Sequence, residues 1–137
     1  MKAHPTALAK QAGFSLIELL VTLAIVGILA AVSVPSYIDY LRRGAIEEAV
    51  AALASGAVRA ERFYLDNRTY ASLPCPIATS KFTITCTGDA TTYTLTATGA
   101  GNVSGFEYTI NQADTRTTKG SWGEGNCWIQ RKGQTCP

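Results

Sequence analysis

Gly13-Phe14-Ser15-Leu16-Ile17-Glu18 opens an apolar run that continues to Val34. From Phe14 to Val34 there are 21 residues, and Glu18 is the one charged side chain among them. In a helix rising ~1.5 Å per residue this run is about 30 Å long, the thickness of a bilayer's hydrocarbon core. Ionisable groups inside such spans are costly, so a single one is a functional candidate. The plainer reading is a signal anchor that tolerates one polar residue near the interface. The residues of the run leave both readings open.

On the N-terminal side, residues 1–13 form a short polar leader with Lys2 and Lys10 and no acidic residue. Positive charge before an apolar run holds that end in the cytoplasm and sends the other end outward. An ordinary signal peptide places its small-residue cleavage site after the apolar stretch. Here the suggestive small residue, Gly13, comes before it. A cut after Gly13 removes the leader and leaves the whole apolar helix on the product.

On the C-terminal side about a hundred residues remain, enough for one small domain. The chain has 137 residues, and its net charge of +2 comes from the leader. From Phe14 onward basic and acidic side chains balance, so no overall bias toward nucleic acid exists. All four cysteines, Cys75, Cys86, Cys127 and Cys136, follow the apolar run. An even count in a small domain beyond an export signal points to disulfides in an oxidising compartment. Of the three connectivities, pairing of near neighbours, Cys75–Cys86 and Cys127–Cys136, is preferred. Zinc is the weaker rival, because no two cysteines have close ligand spacing and the one histidine, His4, lies in the leader.

The leader junction carries a specific resemblance. Gly13-Phe14-Ser15-Leu16-Ile17-Glu18-Leu19-Leu20, then Ala24-Ile25-Val26-Gly27-Ile28-Leu29-Ala30-Ala31, then Pro35-Ser36-Tyr37, resembles the N-terminus of type IV pilins and of type II secretion pseudopilins. Phe63-Tyr64 with Tyr70, and the segments at Tyr93–Thr98 and Tyr108–Gln112, resemble PilE-like minor pilins. This implies a class III signal peptide with the prepilin N-terminal methylation motif. A prepilin peptidase would cut between Gly13 and Phe14, and the new amine of Phe14 would be methylated. Glu18 would then meet the Phe14 amine of a neighbouring subunit. Both charges are satisfied only when the two helices are offset by about one turn, so the pair selects a register, as buried polar groups do in coiled coils. The partners implied are other pilin subunits in a helical filament, the peptidase, the inner membrane and its pilus assembly platform. No cofactor and no metal are called for.

Gly27 and Pro35 interrupt a strong helical pattern. Pro35 removes a backbone donor and crowds the preceding turn, which predicts a kink near residues 31–35. Pro35 as a simple boundary between membrane and domain is the plainer alternative. Beyond it, Ile46, Val50, Leu53, Ala57, Ala60 and Tyr64 recur at spacings of three and four and share one helical face. The pattern predicts one long helix over residues 14–66 whose second half packs on a sheet. Arg43–Glu47 and Arg62–Asp66 stand at helical i,i+4 spacing, each worth a few tenths of a kcal/mol. Asn67 reads as the residue that ends the helix rather than as a glycosylation site, although Asn67-Arg68-Thr69 is a sequon.

After a loop over residues 71–81, alternation predicts strands. Phe82, Ile84 and Cys86 share a face, as do Tyr93, Leu95 and Ala97, and then Phe106, Tyr108 and Ile110. Turns fall at Gly88-Asp89, at Gly99–Gly101 and from Asn111 to Asp114. The fold class is α+β: a type IV pilin fold with a long N-terminal helix packed on a small antiparallel sheet of three or four strands. Residues 113–137 read as an irregular, Gly-rich tail closed into a C-terminal disulfide-bounded loop. The organisation expected is a leader over 1–13, a transmembrane and assembly helix over 14–35, and a globular domain over 36–137.

No nucleophile elbow, phosphate loop or acid–base pair occurs, so an enzyme is not expected. Arg116, Lys119, Arg131 and Lys132 share the tail with Trp122 and Trp128, a mixture that can bind DNA by charge and stacking. Loop packing is the plainer role for the two tryptophans. The function expected is that of a structural subunit, a minor pilin, in pilus assembly, twitching motility and adhesion. It would sit in the inner membrane, N-terminus cytoplasmic and domain periplasmic, before joining an extracellular pilus. The alternatives are a type II secretion pseudopilin and a pilus-associated DNA-uptake pilin.

Overall fold

The computed structural model of the chain describes residues 13–137. The leader, apart from Gly13, lies outside them. Helix α1 runs Leu16–Asn67, and four strands follow: β1 Phe82–Gly88, β2 Tyr93–Gly99, β3 Glu107–Asn111 and β4 Arg116–Lys119. By compactness the chain divides into two units, Met1–Ser36 and Tyr37–Pro137.

In the first unit, residues 13–36 are exposed throughout, although most are apolar. The helix is long and apolar enough to cross a membrane. It stays helical through Gly27 and through Pro35, which lies inside it. The Ser36 hydroxyl, beside the proline, donates back to the Val32 carbonyl at 3.3 Å.

The second unit is built on the predicted stripe. Ile46, Val50, Leu53 and Ala60 are buried, joined by Ala49 and Gly56. They face the inner side of a four-stranded antiparallel meander of order β1-β2-β3-β4. Strict alternation sends Phe82, Ile84, Tyr93, Leu95, Ala97, Tyr108 and Ile110 into the same core. The opposite sheet face is a lattice of threonines, with Thr83, Thr85 and Thr87 across from Thr98, Thr96 and Thr94. β-branched hydroxyls suit a pleated surface that is half wet.

Three local readings need amendment. β4 forms within residues assigned to the irregular tail. The Asn111 side-chain oxygen accepts from the amides of Ala113 and Thr115 and folds the chain back. Buried Thr118 then donates its hydroxyl to the Cys127 carbonyl and accepts from the Ile129 amide. The helix end is also shifted by one residue. Arg68 takes the left-handed position, with φ 58°, and its amide returns to the Tyr64 carbonyl. Asn67 remains helical and its amide group donates to the Phe63 carbonyl. Finally, Arg43–Glu47 pairs at 2.8 Å, whereas Arg62 and Asp66 form no ion pair.

An open sheet presents unpaired backbone at both edges, and here each is covered. Along β1, the Tyr70 amide donates to the Asp89 carbonyl and the Thr79 amide to that of Phe82. The Cys75–Cys86 disulfide ties this covering loop to the strand. Along β4, Thr118 and Gly125 exchange a pair of backbone hydrogen bonds. The Cys127–Cys136 disulfide closes the segment behind them.

Helix and loop meet most tightly at Gly56. A Cβ there would lie 2.5 Å from Pro76 Cγ and 2.9 Å from Leu95 Cδ1. Gly56→Ala is expected to destabilise the fold by about 1–3 kcal/mol through overpacking. A lower urea midpoint at unchanged slope is the signature, and an unchanged midpoint contradicts the contact. Alkaline stability gives a second check. Burial, then the Glu61 carboxylate, pushes Tyr93 up to about 12 from 10.0. Burial and Glu61 also raise Tyr70, whose hydroxyl donates to that carboxylate at 3.2 Å. These tyrosines are neutral when protonated and hold their protons more tightly when folded. Their contribution is complete below the unfolded tyrosine value of 10.0, and that of Tyr93 is lost as pH rises toward about 12. A pH titration of the urea midpoint is expected to stay level with respect to these groups up to the unfolded tyrosine range. It should fall beyond that, and Tyr93→Phe should blunt the fall.

Candidate functional site

Gly13 and Phe14 precede the first turn of α1 in non-helical conformation, and the Phe14 side chain is 84% exposed. The Gly13–Phe14 bond therefore lies outside regular structure. Immediately after it, Ser15 and Glu18 form a reciprocal cap. The Ser15 amide donates to Glu18 Oε2 at 2.8 Å, and the Glu18 amide donates to Ser15 Oγ at 3.2 Å. Two orphan donors of the helix start are thereby satisfied, and the carboxylate lies at the positive end of the helix dipole. The signature, Ser-x-x-Glu before an apolar run, is legible in the sequence and was missed by a reading centred on the membrane cost of Glu18.

The cap holds the Glu18 side chain in one pose. Among the described residues Oε1 receives no hydrogen bond, so one oxygen is left to accept from outside the chain. Phe14, Ile17, Glu18, Val21 and Thr22 line a shallow hollow of about 280 Å³ around it. Thr22 donates its hydroxyl to the Glu18 and Leu19 carbonyls, both at 2.9 Å, so its polarity is spent within the helix. At Gly27 a Cβ would meet nothing within 4 Å, so this glycine makes no close contact inside the chain.

The basic and aromatic tail residues are not brought into one group. Trp128 is buried, donates its indole N–H to the Thr109 carbonyl at 2.9 Å, and carries the Arg116 guanidinium over its ring at 4.7 Å. Arg116 is also gripped by Asp114 at 2.9 Å, and Lys119 pairs with Glu107 at 3.5 Å. Trp122 packs edge-on against Phe106, centroid to centroid 5.2 Å. Arg131 and Lys132 lie apart from Arg116, in a cleft with Trp122 and residues of the helix. Packing is thus the role of Trp128, and only Trp122 keeps an accessible edge.

Two family models match the chain. One, the prokaryotic N-terminal methylation motif, covers residues 8–34. The other, described as type IV minor pilin ComP, DNA uptake sequence receptor, covers residues 35–120, more than half of the chain. The chain belongs to the type IV minor pilin family. The pilin is 45% identical over 73 residues to a type IV major pilin protein PilE1 of Neisseria gonorrhoeae, a match covering 48% of this chain and 44% of that protein. It is 39% identical over 66 residues to a fimbrial protein of Pseudomonas aeruginosa, covering 48% of this chain and 43% of the relative. These matches span less than half the length of those relatives. In fold, the pilin resembles the crystal structure of the Neisseria meningitidis non-core minor pilin PilV. The TM-score is 0.53 at 20% identity, over 72% of this chain and 96% of that one. The α+β type IV pilin fold is therefore shown by the structure itself and by this likeness.

Proposed function

We propose that this pilin is a structural subunit of a type IV pilus, a minor pilin acting in pilus assembly, twitching motility and adhesion. The observation that carries the reading is the fully exposed apolar start of α1 with one pre-oriented carboxylate, Glu18, near its tip. Such a surface is stable only in lipid or among other apolar helices. In this reading the leader, residues 1–13, is removed by a prepilin peptidase at Gly13–Phe14, and the Phe14 amine is methylated. Residues 14–35 hold the subunit in the inner membrane, N-terminus cytoplasmic, with residues 36–137 as a periplasmic domain. The disulfide-bearing domain fits that oxidising side. An assembly platform then passes the subunit into an extracellular filament of pilins. There the free Glu18 oxygen accepts from the Phe14 ammonium of a neighbour, while the Ser15 cap keeps it aimed.

The charge pair makes a register test. Glu18→Ala leaves membrane insertion intact but strands the neighbour's ammonium, and incorporation into sheared filaments should fall by about tenfold or more. Incorporation of the variant at the wild-type level overturns the pairing.

The family model that names a DNA uptake sequence receptor supports a second reading, that this subunit also receives DNA at the pilus. Duplex binding of that kind is dominated by phosphate neutralisation and weakens steeply with salt. A salt-dependent retardation of duplex DNA by the full-length protein in detergent is the expected result. No retardation at low salt overturns it.

A further inference from the structure

A cleft of about 250 Å³ lies between the first turns of α1 in the second unit and the C-terminal loop. It is lined by Asp39, Tyr40, Arg43, Trp122, Arg131 and Lys132. Three cations stand there against one carboxylate, and that carboxylate is already engaged by Arg42 at 3.4 Å and by Lys132 at 3.7 Å. Arg43 is held by Glu47 at 2.8 Å. Arg131 has no carboxylate within ion-pair distance among the described residues. The cleft therefore carries surplus positive charge, with a guanidinium free to take an anion in its planar fork.

Aromatic rings frame the same place. Tyr40, which lines the cleft, is 71% exposed, with a phenol that can point to water, and Tyr37, 62% exposed, precedes it in the helix. Trp122 presents one edge to the cleft while Phe106 supports it from behind. Exposed tyrosine and tryptophan together with arginine and lysine is the composition of a membrane–water boundary. Long cationic side chains there lay their stems on apolar material and reach for headgroups.

Chain position adds a separate line. Tyr37, Tyr40 and Arg43 follow Val34, the last residue of the apolar run, by three, six and nine positions within one helix. The chain therefore tethers these side chains close in sequence to the end of the apolar run.

We propose that this cleft binds the phosphate headgroups of anionic phospholipids in the membrane that holds the apolar helix, before the subunit enters a filament. The proposal rests on the membrane-anchored reading above. The Arg131 guanidinium and the Lys132 ammonium take the phosphate oxygens, and Tyr40 and Trp122 line the cleft beside them. Duplex DNA fits the place less well. It is matched by a row of cations along a backbone, whereas Arg116, over the Trp128 ring and gripped by Asp114, is not among the residues that line this cleft, and neither is Lys119.

The test uses the full-length pilin in nanodiscs. One set is pure phosphatidylcholine, and the other is an equimolar mixture of phosphatidylcholine and phosphatidylglycerol. A nitroxide on the lipid headgroup quenches tryptophan by contact. Because Trp128 is buried, the quenching reports Trp122. Quenching is expected to be stronger in the anionic bilayer and to fall to the phosphatidylcholine level in high salt. Arg131→Gln with Lys132→Gln should have the same effect as salt, since each surface cation is worth about fivefold in partitioning to an anionic leaflet. Both side chains are exposed, and circular dichroism with intact mass verifies that the variant keeps its fold and disulfides. Equal quenching in the two bilayers overturns the proposal and leaves the anchored reading standing. Failure of the pilin to enter either bilayer overturns both. If the double variant abolishes retardation of duplex DNA while lipid quenching is unchanged, the cleft belongs to DNA and the proposal falls.

Discussion

A predominantly apolar run of 21 residues, all but the first two in one continuous helix, cannot be left in water, and the rest of the molecule answers to that constraint. Among the described residues no side chain covers them, since every one from Gly13 to Ser36 is exposed. Their partners are lipid or other copies of the same kind of helix. Either environment makes ionisable groups expensive, which concentrates specificity on the one that is present. Glu18 is prepared for that task locally. Its cap with Ser15 uses one oxygen, fixes the side chain and leaves the other oxygen unpartnered within the chain. A residue that looks like a defect in an apolar run is a helix cap, with one carboxylate oxygen left unpartnered among the described residues.

The same helix then serves a different solvent. From Ile46 to Ala60 its narrow Ala- and Gly-rich stripe lies close on the sheet, and Gly56 marks the tightest approach. A unit of about a hundred residues buries a modest share of its surface, so covalent staples matter. Each disulfide closes a short loop, with separations of 11 and 9 residues, worth roughly 2–3 kcal/mol on the chain-entropy account. Their placement is as important as their number. One holds the loop that covers the β1 edge, and the other closes the segment behind the β4 edge. Strand edges covered in this way are closed to pairing with another chain.

Part of the charge on the sheet unit is settled at home. Arg116, Lys119 and Arg43 each have a carboxylate within reach, and these exposed pairs contribute little stability. The surplus around Arg131 is a local one, three cations lining a cleft with one carboxylate, in a chain whose charges nearly balance.

Much of this was legible in the residues. The apolar run, the position of Glu18, the helical stripe and the alternation of three strands follow from periodicity, which the sequence by itself displays. Local pairing of the cysteines and the role of Asn111 to Asp114 as a turn were readable for the same reason, since they depend on near neighbours. The Ser15–Glu18 cap was equally local and was overlooked because one functional reading had claimed the carboxylate. What only the tertiary structure decided depends on residues far apart in sequence. β4 could not be read as a strand from four polar residues, because its stability comes from Thr118 bonding across to Cys127 and Ile129. The tail's tryptophans looked alike in sequence, yet one is buried against β3 and the other borders a cleft. Gly56 falls on the helical stripe between Leu53 and Ala60, yet the need for a glycine there appears only when Pro76 and Leu95 arrive from elsewhere. The cleft joins residues 39–43 to residues 122–132, a separation of about eighty positions that no spacing rule spans. Sequence patterns record what a segment needs from its neighbours along the chain. Which distant segment meets that need is settled by packing alone.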